Sequence, residues 1–128
     1  MLVAACVLAG LAALVHVYIF WLESVAWMRP ATRRVFGIES EDDARATRAL
    51  AFNQGFYNLF LALVTAVGIV LLLVDEGAPG AALIYAGCGS MVLAALVLVA
   101  GSRAYGSAAA KQGTLPLLAL VALTAALL

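Results

Sequence analysis

The sequence predicts an all-α membrane protein, a bundle of four transmembrane helices. Of its 128 residues, 66% are hydrophobic and 11% are Asp, Glu, Lys or Arg, whereas a soluble domain usually has about 25% charged residues. A soluble fold of this size could not bury so much apolar surface. The charges are also clustered, and a bilayer requires roughly 20 apolar residues per helix. The uncharged intervals between the clusters are residues 1–22, 49–74, 77–102 and 112–128.

We expect a single integral membrane domain over residues 1–128. Its net charge of zero gives no indication of nucleic acid, so the lipid bilayer is the expected partner. Cys6 stands too close to Met1 for a lipoprotein signal, and the first span is interpreted as retained. Cys6 and Cys88 are interpreted as small packing residues. The predicted spans are about 2–27, 44–74, 81–101 and 114–128, with a polar connection at 29–43.

The first span carries two residues whose side chains could take part in proton transfer or ligand binding. Seven residues separate His16 from Glu23, almost two helical turns, so we expect both on one face. Ala9, Ala12 and Ala13 lie near the same stripe and would let a neighbouring helix approach closely. An acidic side chain inside a span is expensive and indicates a functional site. The alternatives are that Glu23 only pairs with a loop arginine, and that His16 makes a structural hydrogen bond between helices.

The connection after the first span mixes both signs of charge. Pro30 restricts the residue before it and predicts the end of the first helix. Ser40, followed by Asp43, predicts the cap of a helix that runs from Glu41 into the second span. The mixture indicates a solvated face rather than a binding patch. Its charged residues are Arg29, Arg33, Arg34, Arg45 and Arg48 against Glu39, Glu41, Asp42 and Asp43.

The second span has a polar face at one end. Asn53, Gln54, Tyr57 and Asn58 fill an arc of about 140° on a helical wheel. An unpaired amide in hydrocarbon costs several kcal/mol, so these side chains must face partners, water or a ligand. Gly55 costs about 1 kcal/mol relative to alanine inside a helix. Close contact with another helix is the expected reason for this glycine.

The last two spans are less polar. Residues 75–80 predict a short acidic turn. Gly87, Gly89 and Ser90 give the third span a small-residue side, interpreted as packing. Pro116 is expected in the first turn of the fourth span. Fifteen helical residues reach only about 22 Å, short of a core of about 30 Å, so either the fourth helix begins earlier, near Ala108, or the bilayer thins there.

The arginines and lysines predict the topology. Five arginines lie in the first connection, none in the second, and Arg103 with Lys111 in the third. The positive-inside rule then places the first and third connections in the cytoplasm and both termini outside. This arrangement brings polar residues of three helices to one depth, with the histidine deeper. The predicted ligand-binding residues are His16, Glu23, Asn53, Gln54, Tyr57, Asn58 and Gln112.

Four sequence strings together resemble a known family. They are HVYIFWLE at residues 16–23, VFG at 35–37, NQGFYN at 53–58 and QG with a following proline at 112–116. This pattern resembles the small bacterial integral membrane proteins catalogued as domain of unknown function 1304, and NQGFYN is its most specific part. The resemblance covers nearly the whole chain. It implies four transmembrane helices in one bundle, in a bacterial inner membrane, and implies no activity, substrate or cofactor.

Three function classes stay open. The first is a protein that binds or transports a small polar or amphiphilic molecule, or a lipid, in a polar pocket open to the cytoplasm; a homodimer would supply a more complete transport path. The second is a membrane enzyme on a lipophilic substrate, with Glu23 and His16 as acid and base, and Asn53 and Asn58 holding developing charge. The third is a structural subunit in which the polar residues only set helix register.

No cofactor is expected, and no metal. One histidine and one buried carboxylate fall short of the three or four ligands that a zinc site takes from the protein. The chain also contains no phosphate-binding loop and no nucleotide fingerprint.

Overall fold

The computed structural model describes residues 1–74 and 77–128, and the regular structure in these two ranges is entirely helical. Four of the described helical segments are long and apolar enough to cross a membrane, which confirms the predicted all-α class and the four spans. The elements are α1 (Leu2–Phe20), a π turn (Trp21–Val25), α2 (Pro30–Phe36), α3 (Glu41–Leu73), α4 (Gly77–Gly101), a short 3-10 turn (Arg103–Tyr105) and α5 (Gly106–Leu127).

The first span changes its helical geometry before it ends. After Phe20 the backbone widens into the π turn, in which the N–H of Ala26 donates to the carbonyl of Trp21 at 2.9 Å. The donor and the acceptor of this bond are five residues apart in the sequence, whereas those of an α-helical bond are four apart. The helix ends at Val25, so the prediction that Pro30 ends it is wrong. Pro30 instead begins α2, where its missing N–H costs nothing.

Helix α2 lies inside the predicted polar connection, where the sequence analysis placed no helix before Glu41. It ends at Gly37, whose φ of +67° is left-handed and suits a glycine. The N–H of Ile38 closes this end by donating to the carbonyl of Arg33 at 2.9 Å. The predicted cap of the next helix is confirmed, because the N–H of Asp43 donates to the Ser40 hydroxyl at 3.0 Å. Helix α3 then runs from the connection into the second span.

The third and fourth spans both begin earlier than predicted. Helix α4 starts at Gly77, so residues 77–80 are helical and not a turn; residues 75 and 76 of that predicted turn lie outside the described ranges. Helix α5 starts at Gly106, close to the earlier start expected near Ala108. Pro116 therefore lies inside α5 and not in its first turn, and it has no N–H to donate to the carbonyl of Gln112.

The chain forms two compact units. Residues 1–15 and 61–128 form the first, which we name the small-residue unit. Its buried core combines Ile84, Met91 and Leu123 with alanines and Cys88. Residues 16–60 form the second, which we name the polar unit. The alanines predicted as a packing stripe on the first span are confirmed as buried: Ala9, Ala12 and Ala13.

Glycines bring backbones together in the small-residue unit. A Cβ on Gly80 would lie 2.8 Å from the Gly68 carbonyl oxygen, and one on Gly68 would lie 2.9 Å from that of Gly80. Gly87 is buried against Leu61 and Thr65, which confirms its packing role. The same prediction is wrong for Gly89, whose Cβ would meet nothing within 4 Å, and for the exposed Ser90. Small size alone does not decide which side of a helix is packed.

Candidate functional site at the π turn

The first half of α3 packs closely against the π turn within the polar unit. A Cβ on Gly55 would lie 3.1 Å from both the Phe20 carbonyl oxygen and the Glu23 Cβ, and would collide with the Ser24 hydroxyl. The close helix contact predicted for this glycine is therefore confirmed. Because the backbones approach here, polar side chains of the π turn come within hydrogen-bonding reach of α3.

The centre of the candidate site is a carboxylate paired with an amide. The Asn58 side-chain nitrogen donates to Glu23 Oε2 at 2.9 Å and to the Gln54 carbonyl at 3.1 Å. Both donors of the Asn58 amide are thus used, which fixes its orientation and leaves its side-chain oxygen as an acceptor. Glu23 and Asn58 are each half-buried. The pair thus contains half-buried acceptor oxygens, from one carboxylate and one amide.

Two further side chains tie this region to the α3 backbone. The Ser24 hydroxyl donates to the Phe52 carbonyl at 2.9 Å. The buried Trp27 indole donates to the Ala44 carbonyl, also at 2.9 Å. The sequence analysis missed both bonds, since neither residue belongs to a polar cluster in the sequence. They hold the π turn and the residues after it at a fixed height on α3, which positions Glu23.

An aromatic cluster flanks the polar pair. The rings of Phe20 and Phe56 meet edge to face with centroids 5.1 Å apart, and Phe52 and Phe60 flank Phe56 at 5.0 and 6.1 Å. These contacts make part of the packing between Phe20 and α3 apolar. The cluster was also missed, although the spacing of Phe52, Phe56 and Phe60 by four residues is a signal for one helix face.

The predicted polar arc of α3 is only partly brought to the carboxylate. Asn58 contacts Glu23, but Asn53, Gln54 and Tyr57 are exposed. The buried side of this half of α3 instead carries small residues, Ala44, Ala51 and Gly55. A helical wheel shows that the polar residues share an arc but not which way the arc points. The ligand-binding role of the three exposed residues stays a prediction.

His16 and Gln112 complete the predicted set. His16 is 1% exposed. It lies in α1, whereas Glu23 lies in the π turn, so the 3.6-residue wheel that predicted a shared face does not apply over the whole interval. Their joint acid–base role stays a prediction. Gln112 belongs to the small-residue unit and is partly exposed on α5, and its membership of the site also stays a prediction.

Trp21 forms an exposed aromatic stack at the start of the π turn. Its ring stacks on that of Tyr18 with centroids 6.1 Å apart and an interplanar angle of 18°. The guanidinium carbon of Arg29 lies 5.3 Å from the centre of the Trp21 ring, within the range of a cation–π contact. Both aromatic side chains are exposed. Amphipathic rings of this kind are enriched at the level of lipid head groups.

The small-residue unit contains a groove of a different character. Its volume is about 300 Å³. The lining is apolar and includes none of the predicted ligand-binding residues: it comprises Leu2, Val3, Cys6, Val7, Leu72 and Leu73. A polar ligand therefore finds no partner there.

A metal ion needs a group of ligand side chains that lie close together. Over residues 1–74 and 77–128, no three His, Cys, Asp or Glu side chains are grouped so that they could hold one. Cys88 is a free thiol buried in the core of the small-residue unit, which confirms its packing role. The chemistry of the candidate site is therefore hydrogen bonding by carboxylate, amide and hydroxyl groups.

Comparison with known proteins addresses membership of a family. Neither a curated protein nor a solved structure gives a match to the chain. A family model does match over residues 10–124, a range that contains α2, α3, α4, the π turn and nearly all of α1 and α5. The chain therefore belongs to the family described as protein of unknown function (DUF1304).

Proposed function

We propose that this membrane protein binds a small amphiphilic molecule through its polar head. The observation that carries this proposal is the 2.9 Å hydrogen bond between Asn58 and Glu23, two half-buried groups at the end of an apolar span. An acidic residue is costly inside a membrane span and is retained mainly where it has a function. The pair is only half-buried, so part of each group remains accessible to a ligand.

The chemistry of the pair indicates the class of ligand. Glu23 and the oxygen of Asn58 accept hydrogen bonds, which favours a head group with an ammonium or hydroxyl donor. The exposed Asn53, Gln54 and Tyr57 continue the polar surface along α3. The phenylalanines beside Glu23 supply apolar surface for the remainder of an amphiphile. The positive-inside rule would place this site in the cytoplasmic half of the membrane, with both termini outside.

One alternative function is favoured by specific contacts. The side chains of Ser24 and Trp27 donate to backbone carbonyls of α3 and thereby hold the two segments together. The Glu23–Asn58 pair could serve the same structural purpose. In that case the pair fixes the register of two helices, at about 0.6 kcal/mol for an interhelical hydrogen bond. The experiment below separates the two functions.

Native mass spectrometry of the purified protein in mild detergent tests the proposal. We expect the wild type to retain a small molecule or lipid, and Glu23→Gln to lose it while staying folded by circular dichroism and size-exclusion chromatography. Glu39→Gln is the matched control, because it makes the same chemical change at an exposed residue of the connection and should keep the ligand. Asn53→Ala tests whether the exposed part of the arc contributes.

Two results would contradict the proposal. If wild type and Glu23→Gln carry the same adducts, the carboxylate does not bind them. If the wild type is unliganded and Glu23→Gln unfolds, the pair serves the structural purpose. The same spectra report whether the protein is a homodimer.

A further inference from the structure

We infer that Arg29 and Arg33 form a binding site for the phosphate of an anionic phospholipid. This inference goes beyond the proposed function, because it concerns other residues, on the connection that follows the π turn, and a ligand group of opposite charge. The sequence alone indicated a solvated face of balanced charges there. Among the described residues of the connection, the arginines around α2 do not form ion pairs with the acids.

Two acids at the start of α3, Glu41 and Asp43, already have partners. Glu41 pairs with Arg45, which is the one ion pair in the described part of the chain. The Ser40 hydroxyl donates to Asp43 at 2.6 Å and caps α3. Arg33 interacts with Glu41 only electrostatically, without an ion pair between them. Within the described residues, Arg29, Arg33 and Arg34 therefore form no ion pair with a carboxylate.

Arg33 carries the most specific indication of a ligand. Its Nε atom is buried and has no hydrogen-bond acceptor in the described structure, while the side chain as a whole is only partly buried. Leaving a buried donor without an acceptor costs about 1–3 kcal/mol in a protein. A phosphate oxygen is a suitable acceptor, because a guanidinium group binds phosphate through two parallel N–H bonds.

Arg29 lies one helical turn before Arg33. The Arg33 N–H donates to the Arg29 carbonyl at 3.0 Å, across the first turn of α2, for which Arg29 is the N-cap residue. The Arg29 guanidinium carbon lies 5.3 Å from the centre of the Trp21 ring, and this cation–π contact uses none of the five N–H donors of the guanidinium. In the proposed site both arginines bind a single phosphate group.

The position of these arginines favours a lipid over a free phosphate ion. Trp21 and the exposed Tyr18 directly precede the connection at the end of a membrane span. Interfacial tryptophan and tyrosine lie at the level of the head groups, so the cation over Trp21 lies where lipid phosphates are found. Each arginine close to the membrane surface raises the affinity for anionic lipids about fivefold.

Fluorescence quenching by brominated lipids tests this inference on the full-length chain. Vesicles of phosphatidylcholine would contain either brominated phosphatidylglycerol or brominated phosphatidylcholine, and quenching of Trp21 and Trp27 would report which lipid binds. We expect at least fivefold stronger binding of the anionic lipid by the wild type. We expect this preference to be lost in Arg29→Gln and Arg33→Gln.

Two control variants separate a built site from diffuse charge. Arg45→Gln removes the same charge from an arginine that is already ion-paired, and it should keep the preference. Arg33→Lys keeps the charge but removes Nε, and it should lose most of the preference even if Arg33→Gln does not fold. Inorganic phosphate at millimolar concentration should not displace the lipid.

Three outcomes would overturn the inference. Equal quenching by anionic and zwitterionic lipid in the wild type would show that no preference exists. An equal loss in Arg45→Gln and Arg33→Gln would show that only the total charge matters. Displacement by inorganic phosphate would show that the site takes the free ion.

Discussion

The small-residue unit and the polar unit use different means to hold helices together. In the first, glycine and alanine let backbones approach, as at Gly68 and Gly80, and the core is filled by Ile84, Met91 and Leu123. In the second, side chains of the π turn and of Trp27 form hydrogen bonds with α3, and aromatic rings pack at the same contact. Lipid tails are as apolar as leucine, so burial alone does not drive helix association in a bilayer.

The two units also differ in how many polar side chains they contain at their helix contacts. The small-residue unit buries few polar side chains, Thr65 among them, and the groove of about 300 Å³ that it contains has an apolar lining. The polar unit has half-buried polar side chains, Glu23, Ser24 and Asn58 among them. The candidate site therefore lies in the unit where polar side chains accompany the close backbone contact at Gly55.

The largest expected effect is overpacking in the small-residue unit. Gly80→Ala places a methyl group 2.7 Å from the Leu72 nitrogen and 2.8 Å from the Gly68 oxygen, both backbone atoms. We expect a loss of about 1–3 kcal/mol in the free energy of unfolding, measured by detergent denaturation. The matched control is Gly89→Ala on the same helix, where nothing lies within 4 Å. It should be neutral or gain up to about 1 kcal/mol; equal losses in both variants would contradict the packing argument.

The second effect concerns hydrogen bonding in the polar unit. Trp27→Phe keeps an aromatic ring but removes the indole donor to the Ala44 carbonyl. We expect a loss of about 0.5–1.5 kcal/mol in the free energy of unfolding. Trp21→Phe is the control, because that ring is exposed and stacked on Tyr18, and it should cost less than about 0.5 kcal/mol. Equal costs would mean that ring volume, and not the hydrogen bond, stabilises this unit.

The smallest effect compares one interhelical pair in each unit. A double-mutant cycle of Glu23→Ala and Asn58→Ala should give a coupling energy of about 0.6 kcal/mol. The cycle of Tyr85→Phe and Thr124→Ala, whose hydroxyls lie 2.7 Å apart, should give a similar value. Similar coupling energies would mean that the two units differ in stability through their packing and not through the strength of these hydrogen bonds. A coupling for Glu23 well above about 1.7 kcal/mol would instead exceed what single membrane hydrogen bonds reach.

The membrane helices were predictable from the sequence because charge is excluded from hydrocarbon. Their ends were less predictable. Helix α5 begins eight residues before Thr114, because small and polar residues such as those at 106–113 continue a helix without adding hydropathy. Helix α2 was missed, since its seven residues after Arg29 are too few to show an apolar period.

The candidate site was predictable in its residues but not in its geometry. Glu23 and Asn58 were identified by their cost in a membrane and do meet. The outward direction of Asn53, Gln54 and Tyr57 was not predictable, because it depends on which side of α3 carries Ala51 and Gly55 toward its neighbour. The π turn leaves no trace in residue type, so the orientation of Glu23 could not be derived from a helical wheel.

The π turn also has a genetic consequence. It holds one residue more between bonded groups than an α-helical turn, as the bond from Ala26 to Trp21 shows. Deleting a single codon within Trp21–Val25 would restore α-helical bonding and leave the flanking segments in nearly the same rotation, but it would redirect the side chains inside the turn, Glu23 among them. Family members that are one residue shorter here are expected to have lost the alignment of Glu23 with Asn58. The length of this segment in a genome is therefore a marker for the carboxylate–amide pair.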